Sequence, residues 1–246
     1  MNIIIGQLSA NARPYKDTLK KIESIIDKNY DCDDTNILIL PENFLEYNSS
    51  IDLNKKFADL IEQQTIIEQI SKIAQKKKCY IFAGTVPIKR NERYYNSCNI
   101  FDCYGNLIDV YEKRNLFVAN IEGLEYDEAS FYTPGNKEVI VKIADYNFGV
   151  AICYDLRFPE LFESMKNNNV DIFVVIAAFT YKTGKDNWVD LLTGVARKNE
   201  CLVVASDLCG RSECGYKCYG HSLIVGKDGQ IILQLNEDES DINYKI

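Results

Sequence analysis

Phe148-Gly149-Val150-Ala151-Ile152-Cys153-Tyr154-Asp155-Leu156-Arg157-Phe158-Pro159-Glu160-Leu161 is the stretch that decides the fold. An apolar run stops at a cysteine, polar residues follow at once, and Pro159 opens a helix-like segment. The pattern predicts a buried strand, a sharp turn carrying Cys153, and a helix. A thiol on such a turn is held rigidly at the end of a sheet. Backbone N–H groups at a helix start favour both a thiolate and an oxyanion there. The competing reading is a buried structural cysteine, since free Cys is among the most buried residue types.

Upstream, Asn2 to Leu8 reads as a short apolar strand, and Pro14 opens an amphipathic helix to about Asn29. Asn36 to Leu40 is a continuous apolar strand ending in Pro41-Glu42-Asn43-Phe44. A helical pattern runs from about Asn54 to Lys78, and Cys79 to Thr85 is a further buried strand. The order β-α-β-α-β predicts a layered α/β protein. Tyr94 to Phe101 and Leu107 to Tyr111 flank a glycine turn and read as a hairpin. Val118 to Asn136 reads as a long functional loop. Val139 to Ala144 and Asn147 to Cys153 form a second hairpin. Downstream come helix Pro159 to Lys166, strand Asp171 to Ala177, helix Asp186 to Asn199 and strand Cys201 to Ser206. A last hairpin joins Gly220 to Val225 and Gln230 to Leu235. Residues 236–246 read as a polar tail on a single domain spanning 1–246. Asn99 to Ile108 also aligns without gaps with Leu223 to Ile232. Both follow a β-α-β-α-β run, so two similar halves are expected, their sheets packed face to face.

Composition narrows the function. The 246 residues are 46% hydrophobic and 26% charged, with a net charge of −8. Basic residues are dispersed, which argues against nucleic acid as a partner. No apolar run approaches the roughly 20 residues that span a bilayer. The nine cysteines are odd in number, and the Met1-Asn2-Ile3-Ile4-Ile5 start is too short and uncharged for a signal peptide. Reduced thiols in a cytoplasm are expected. Cys209, Cys214 and Cys218 lack a CxxC pair and an obvious fourth ligand, so no metal is assigned.

A cysteine nucleophile needs a base and a group that steadies the oxyanion. The single histidine, His221, begins a strand near the last hairpin and is a weak candidate. A carboxylate can serve if burial raises its pKa. Glu42 follows a buried strand, as Cys153 does, and sites in layered α/β sheets collect at such ends. Lys113 also follows a strand-like segment, and an ammonium in a dry pocket would stabilise an oxyanion. Taken singly, a Glu or Lys in such a place is most often a surface residue.

Pro41-Glu42-Asn43-Phe44, Glu112-Lys113-Arg114-Asn115-Leu116-Phe117 and Gly149 to Glu160 resemble the three signature segments of the nitrilase superfamily of carbon–nitrogen hydrolases. They stand in the family's order and at suitable separations, and the resemblance covers almost the whole chain. It implies a four-layer α-β-β-α sandwich of two similar halves and a Glu42–Lys113–Cys153 triad. It implies a second active-site glutamate before the Thr133-Pro134-Gly135 turn, matched by Glu128, with Glu122 and Glu125 as rivals. It implies amide hydrolysis through a thioester, with no metal or organic cofactor.

Residues 153–161 and Ala178-Phe179-Thr180-Tyr181-Lys182-Thr183-Gly184 are similar to the branch that hydrolyses amides of dicarboxylic acids, and residues 209–212 with 219–222 lean toward its deaminated-glutathione members. A carboxylate-bearing substrate needs a cation, for which Arg157, Lys182 and Arg211 are candidates. Tyr154, Phe179 and Trp188 are candidate walls. The alternatives are an aliphatic amidase, a carbamoyl-amine hydrolase, or a non-catalytic binding protein on the same fold. The resemblance also implies a homodimer built on the helix after Cys153 and the helix near Trp188.

Overall fold

The computed structural model describes residues 1–11, 13–47, 51–63, 66–121 and 123–246. The first half comprises β1 (Asn2–Gln7), α1 (Tyr15–Asn29), β2 (Asn36–Ile39), α2 (Ile51–Gln63), α3 (Ile66–Lys77), β3 (Cys79–Phe82), β4 (Val86–Arg90), β5 (Arg93–Phe101) and β6 (Leu107–Glu112). A small hairpin of β7 (Val118–Ile121) and β8 (Leu124–Asp127) follows. The second half comprises β9 (Ile140–Ile143), β10 (Tyr146–Ile152), α4 (Pro159–Asn167), β11 (Ile172–Ala177), α5 (Tyr181–Asn199) and β12 (Leu202–Asp207). It continues through β13 (Cys209–Arg211), β14 (Lys217–Tyr219), β15 (Leu223–Val225), β16 (Ile231–Gln234) and β17 (Ser240–Lys245).

Strand side chains alternate between two faces, and here both faces are buried. Ile3, Ile5, Ile37 and Ile39 of the first sheet meet Phe148, Val150, Ile152, Ile172, Val174 and Ile176 of the second in one apolar cluster. The intervening residues point outward. Ile4 and Leu38 pack beneath Ile22 and Ile26 of α1 and Ile70 of α3. Phe173, Val175 and Val203 pack beneath Phe162 of α4 and Trp188 and Leu192 of α5. That is an α-β-β-α sandwich. Every residue of β1, β2, β11 and β12 is buried, and each fully buried large aliphatic side chain stabilises the fold by roughly 1.5–3 kcal/mol.

The halves share a strand order. In the first sheet β1, β2 and β3 run parallel, then β5 and β6 pair antiparallel. In the second, β10, β11 and β12 run parallel, then β15 and β16 pair antiparallel. The aligned segments Asn99–Ile108 and Leu223–Ile232 fall on equivalent hairpins. Each sheet also carries an antiparallel strand outside its first parallel one, β17 beside β1 and β9 beside β10.

The structure corrects three expectations. The supposed tail is a strand: β17 pairs with β1 over its whole length. Ile242 is buried in the inter-sheet cluster. The polar residues that suggested a tail have partners, since Asp241 takes Lys28 at 2.9 Å and Asn29 at 2.9 Å, and Asn243 donates to the Asn29 carbonyl at 3.0 Å. The Asn54–Lys78 pattern is two helices rather than one, with Gln64 and Thr65 outside the described residues. Helix α5 begins at Tyr181, five residues before the expected Asp186, because Thr180 caps it by accepting from the Thr183 N–H at 3.3 Å. Within its first turns Gly184 allows close packing on β14, since a Cβ there would lie 2.4 Å from the Tyr219 side chain.

Candidate active site

Four strand ends converge on one pocket. Glu42 follows β2, Lys113 follows β6, Cys153 follows β10 and Ala178 follows β11. All four line one pocket together with Glu128, Tyr154, Arg157 and Phe179. Two close backbone approaches hold the loops. Gly84 has φ +48°, and a Cβ on it would stand 2.2 Å from the Pro41 carbonyl oxygen, beside Glu42. A Cβ on Gly135 would stand 2.2 Å from the Glu112 carbonyl oxygen, and the Gly135 N–H donates to the Lys113 carbonyl at 2.9 Å.

Glu42 is 2% exposed and Lys113 1%. Burying such charges is costly unless they are paired, and the pairing here is dense. Lys113 Nζ lies 2.8 Å from Glu42 Oε1 and 2.8 Å from Glu128 Oε2. Asn96 Nδ2 donates to Glu42 Oε1 at 2.8 Å, and the Ala178 N–H donates to Glu42 Oε2 at 2.9 Å. The Phe117 N–H donates to Glu128 Oε2 at 2.7 Å. Burial alone would lower the Lys113 pKa, but Glu128 and Glu42 outweigh it and hold the ammonium well above its usual range. Glu128 is raised, chiefly by burial and also by the charge of Glu42, against the pull of Lys113.

Cys153 has φ +48°, in the left-handed region that a non-glycine residue rarely adopts. It opens a short 3-10 turn, Cys153–Arg157, whose first N–H groups have no partner within the turn. Such strain collects at functional sites when the surroundings over-determine it. Here Asp155 does so, being itself fully buried. Its carboxylate accepts from the Ile152 N–H at 2.9 Å, the Tyr111 hydroxyl at 2.7 Å, the Asn115 N–H at 2.9 Å and the Asn115 side chain at 2.8 Å. The Cys153 turn is thereby tied to the loop that carries Lys113. Burial pushes the Cys153 thiol well above its ordinary range, and Glu42 adds to this, while Lys113 and a hydrogen bond from Ala178 oppose it. The net balance favours the neutral thiol.

Glu128 is the glutamate that meets Lys113. Glu125 lies on β8, exposed at the pocket mouth, and Glu122 lies outside the described residues. Tyr154, Arg157 and Phe179 line the pocket. Lys182 does not: it is exposed on the first turn of α5 and pairs with Asp186 at 3.7 Å, because the early start of that helix turns it to solvent. Arg211 is drawn away to the Gly215 carbonyl at 2.7 Å. Trp188 is fully buried behind Phe179, 4.8 Å between ring centroids, and is core. His221 stacks on Tyr219 at 4.1 Å and does not line the pocket.

Several site residues went unnoticed in the sequence. Asn96 and Asp155 are polar residues at buried positions, which is itself the signal that was available. Tyr126 and Tyr216 also line the pocket, 4.5 Å apart between centroids. The Tyr216 hydroxyl donates to the Glu125 carbonyl at 2.7 Å, so the β13–β14 hairpin leans on the β7–β8 hairpin over the pocket.

Known proteins show the same architecture. Omega-amidase NIT3 of Saccharomyces cerevisiae is 30% identical over 251 residues, covering 98% of this chain and 85% of its own. A deaminated glutathione amidase of Dictyostelium discoideum is 28% identical over 249 residues, covering 98% and 85%. The crystal structure of Saccharomyces cerevisiae Nit3, described as a member of branch 10 of the nitrilase superfamily, matches with a TM-score of 0.86 at 27% identity, covering 99% of this chain and 89% of that one. The carbon-nitrogen hydrolase family model matches residues 5–245, and with the strand-end pocket this identifies the chain as a member of the carbon–nitrogen hydrolase family.

Proposed function

We propose that this enzyme hydrolyses the terminal amide of a small dicarboxylic acid monoamide, a 2-oxo acid amide or deaminated glutathione, with Cys153 as nucleophile. The reading rests on one observation above all: a buried ammonium, Lys113, bridges two carboxylates, Glu42 and Glu128, in the pocket that holds a strained cysteine. Glu42 takes the thiol proton as sulfur attacks the amide carbon. Lys113 and the Tyr154 N–H stabilise the oxyanion, each such donor contributing roughly 3–4 kcal/mol. Glu42 returns the proton to the leaving nitrogen, ammonia departs, and a Cys153 thioester remains. Water, deprotonated by Glu42 and oriented by Glu128, then releases the acid and restores the thiol. No step calls for a cofactor.

The relatives named omega-amidase and deaminated glutathione amidase support the substrate class. So does Arg157, an exposed cation at the pocket mouth with no ion-pair partner among the described residues. Phe179 and Tyr154 flank the substrate chain. We further propose a cytoplasmic homodimer assembled through α4 and α5. All nine cysteines are free thiols, which suits a reducing compartment, and no helix among the described residues is long and apolar enough to cross a membrane. Light scattering giving a monomer mass would contradict the dimer.

The test is ammonia release from 2-oxoglutaramate, 2-oxosuccinamate, deaminated glutathione, a simple aliphatic amide and a carbamoyl amine. Wild type is run beside Cys153→Ala and Glu42→Gln. Cysteine-dependent release from an oxo-acid amide is expected, with both variants inactive and folded. Carbon dioxide appearing with the ammonia would mark a carbamoylase instead. Wild-type rates in Glu42→Gln would exclude the triad.

A further inference from the structure

Asn96 lies on β5 and is 1% exposed. Its Nδ2 donates to Glu42 Oε1 at 2.8 Å and reaches Glu128 Oε1 at 3.5 Å. Its Oδ1 is buried with no protein partner. Native proteins seldom leave such an acceptor unsatisfied, and chemistry explains the orientation. Turning the amide over would aim its oxygen at two carboxylates, so the donor must face them. The Asn96 carbonyl also accepts from the Lys113 N–H at 2.9 Å, so one residue organises two members of the site.

The acceptor count on Glu42 then becomes informative. Each carboxylate oxygen has about two in-plane acceptor directions. Oε1 receives Asn96 and Lys113, both at 2.8 Å. Oε2 receives only the Ala178 N–H, at 2.9 Å, and the same Ala178 group supports the Cys153 thiolate. We propose that Asn96 is a positioning residue for the hydrolytic site: together with Lys113 it saturates Glu42 Oε1 and leaves Oε2, on the Ala178 side, as the atom that receives the Cys153 proton. The inference rests on the nucleophile and base roles proposed above and adds which oxygen acts and what selects it. The step is a plain proton transfer. The S–H bond breaks, an O–H bond forms on Oε2, and the electron pair stays on sulfur.

The charged and titratable neighbours of Glu42 are Lys113, Glu128 and Cys153 in the pocket, with Asp207, Cys218, Tyr47 and Tyr132 behind and beside it. None of the seven lies on β5, so Asn96→Ala removes a donor without altering a charge, whereas Asn96→Asp also places a carboxyl group beside Glu42 and Glu128.

The experiment measures the rate of Cys153 alkylation by iodoacetamide between pH 5 and 10, followed on the Cys153 peptide by mass spectrometry. It needs no knowledge of the substrate. Wild type is compared with Asn96→Ala and with the isosteric Asn96→Asp, and thermal melts establish folding. Losing a donor to a carboxylate disfavours its charged form. The acid-side midpoint of Cys153 reactivity should therefore move up by about one pH unit in Asn96→Ala, and further in Asn96→Asp. A merely structural role would lower the melting temperature and leave that midpoint in place. An unmoved midpoint in a folded variant overturns the proposal alone. A wild-type Cys153 inert at every pH overturns it together with the nucleophile reading beneath it.

Discussion

Replacing Asp155 with alanine should unlock the turn that carries Cys153, and the cost follows from its hydrogen bonds. The carboxylate accepts four of them, from Ile152, Tyr111 and twice from Asn115. The Ile152 N–H and the fully buried Tyr111 hydroxyl have nowhere else to turn. Asn115 is only partly buried and can recover some bonding from water. A buried donor left unpaired costs about 1–3 kcal/mol. Burial raises the Asp155 pKa despite these donors, so removing the group also relieves a desolvation cost. The balance is a loss of about 4 kcal/mol, a large part of the roughly 5–15 kcal/mol typical of a folded domain. The assay is urea unfolding followed by the fluorescence of Trp188, the sole tryptophan and fully buried. With a slope of about 2.5 kcal/mol per molar, the midpoint should fall by about 1.6 M. Asp155→Asn keeps one acceptor but turns an NH2 toward other donors, so about half that loss is expected. Cys153 alkylation should slow in both variants. A loss below about 1 kcal/mol with wild-type Cys153 reactivity would refute the view that Asp155 holds the turn.

Two further outcomes are expected. Arg157→Met should raise KM about tenfold for a carboxylate-bearing amide, the value of one modest charged contact, and leave a neutral amide unchanged; equal effects on both would remove Arg157 from recognition. Asp207→Asn should gain stability relative to wild type as pH rises, read from melts at pH 4 and 8. Burial raises the folded-state pKa of Asp207 well above its ordinary value, so above the unfolded pKa of about 3.9 the folded state binds more protons and stability falls with pH. A difference that does not vary with pH would show that Asp207 carries no such cost.

The sandwich was legible because its inner strands are apolar on both faces, so they stood out as continuous runs. Glu42, Lys113 and Cys153 stood out because Glu42 and Cys153 each follow such a run, Lys113 follows a more polar strand-like segment, and all three sit in recognisable motifs. What escaped notice has a common physical cause. β17 keeps only Ile242 fully buried, since α1 meets its other face with polar partners rather than apolar ones. β7 and β8 pair only with each other, outside both main sheets, and showed no apolar alternation to read as strands. Asn96 and Asp155 act through hydrogen bonds to residues 54 and 44 positions away in sequence, and no local pattern announces such a partner. Lys182 and Arg211 were candidates by charge alone, and helix geometry and a nearby carbonyl direct them elsewhere.

The pairing of β17 with β1 bears on how the chain is made. Asn2 lies beside Lys245 and Gln7 beside Ser240. During synthesis from the amino end, β1 can pair with β2 early, but its other edge stays open until residue 245 has left the ribosome. That edge carries Ile3-Ile4-Ile5, an uncharged run of high strand propensity, and an open edge of this kind templates pairing with other chains. The late arrival of a polar strand that shields an early apolar one therefore sets the interval during which the β1 edge is open to mispairing.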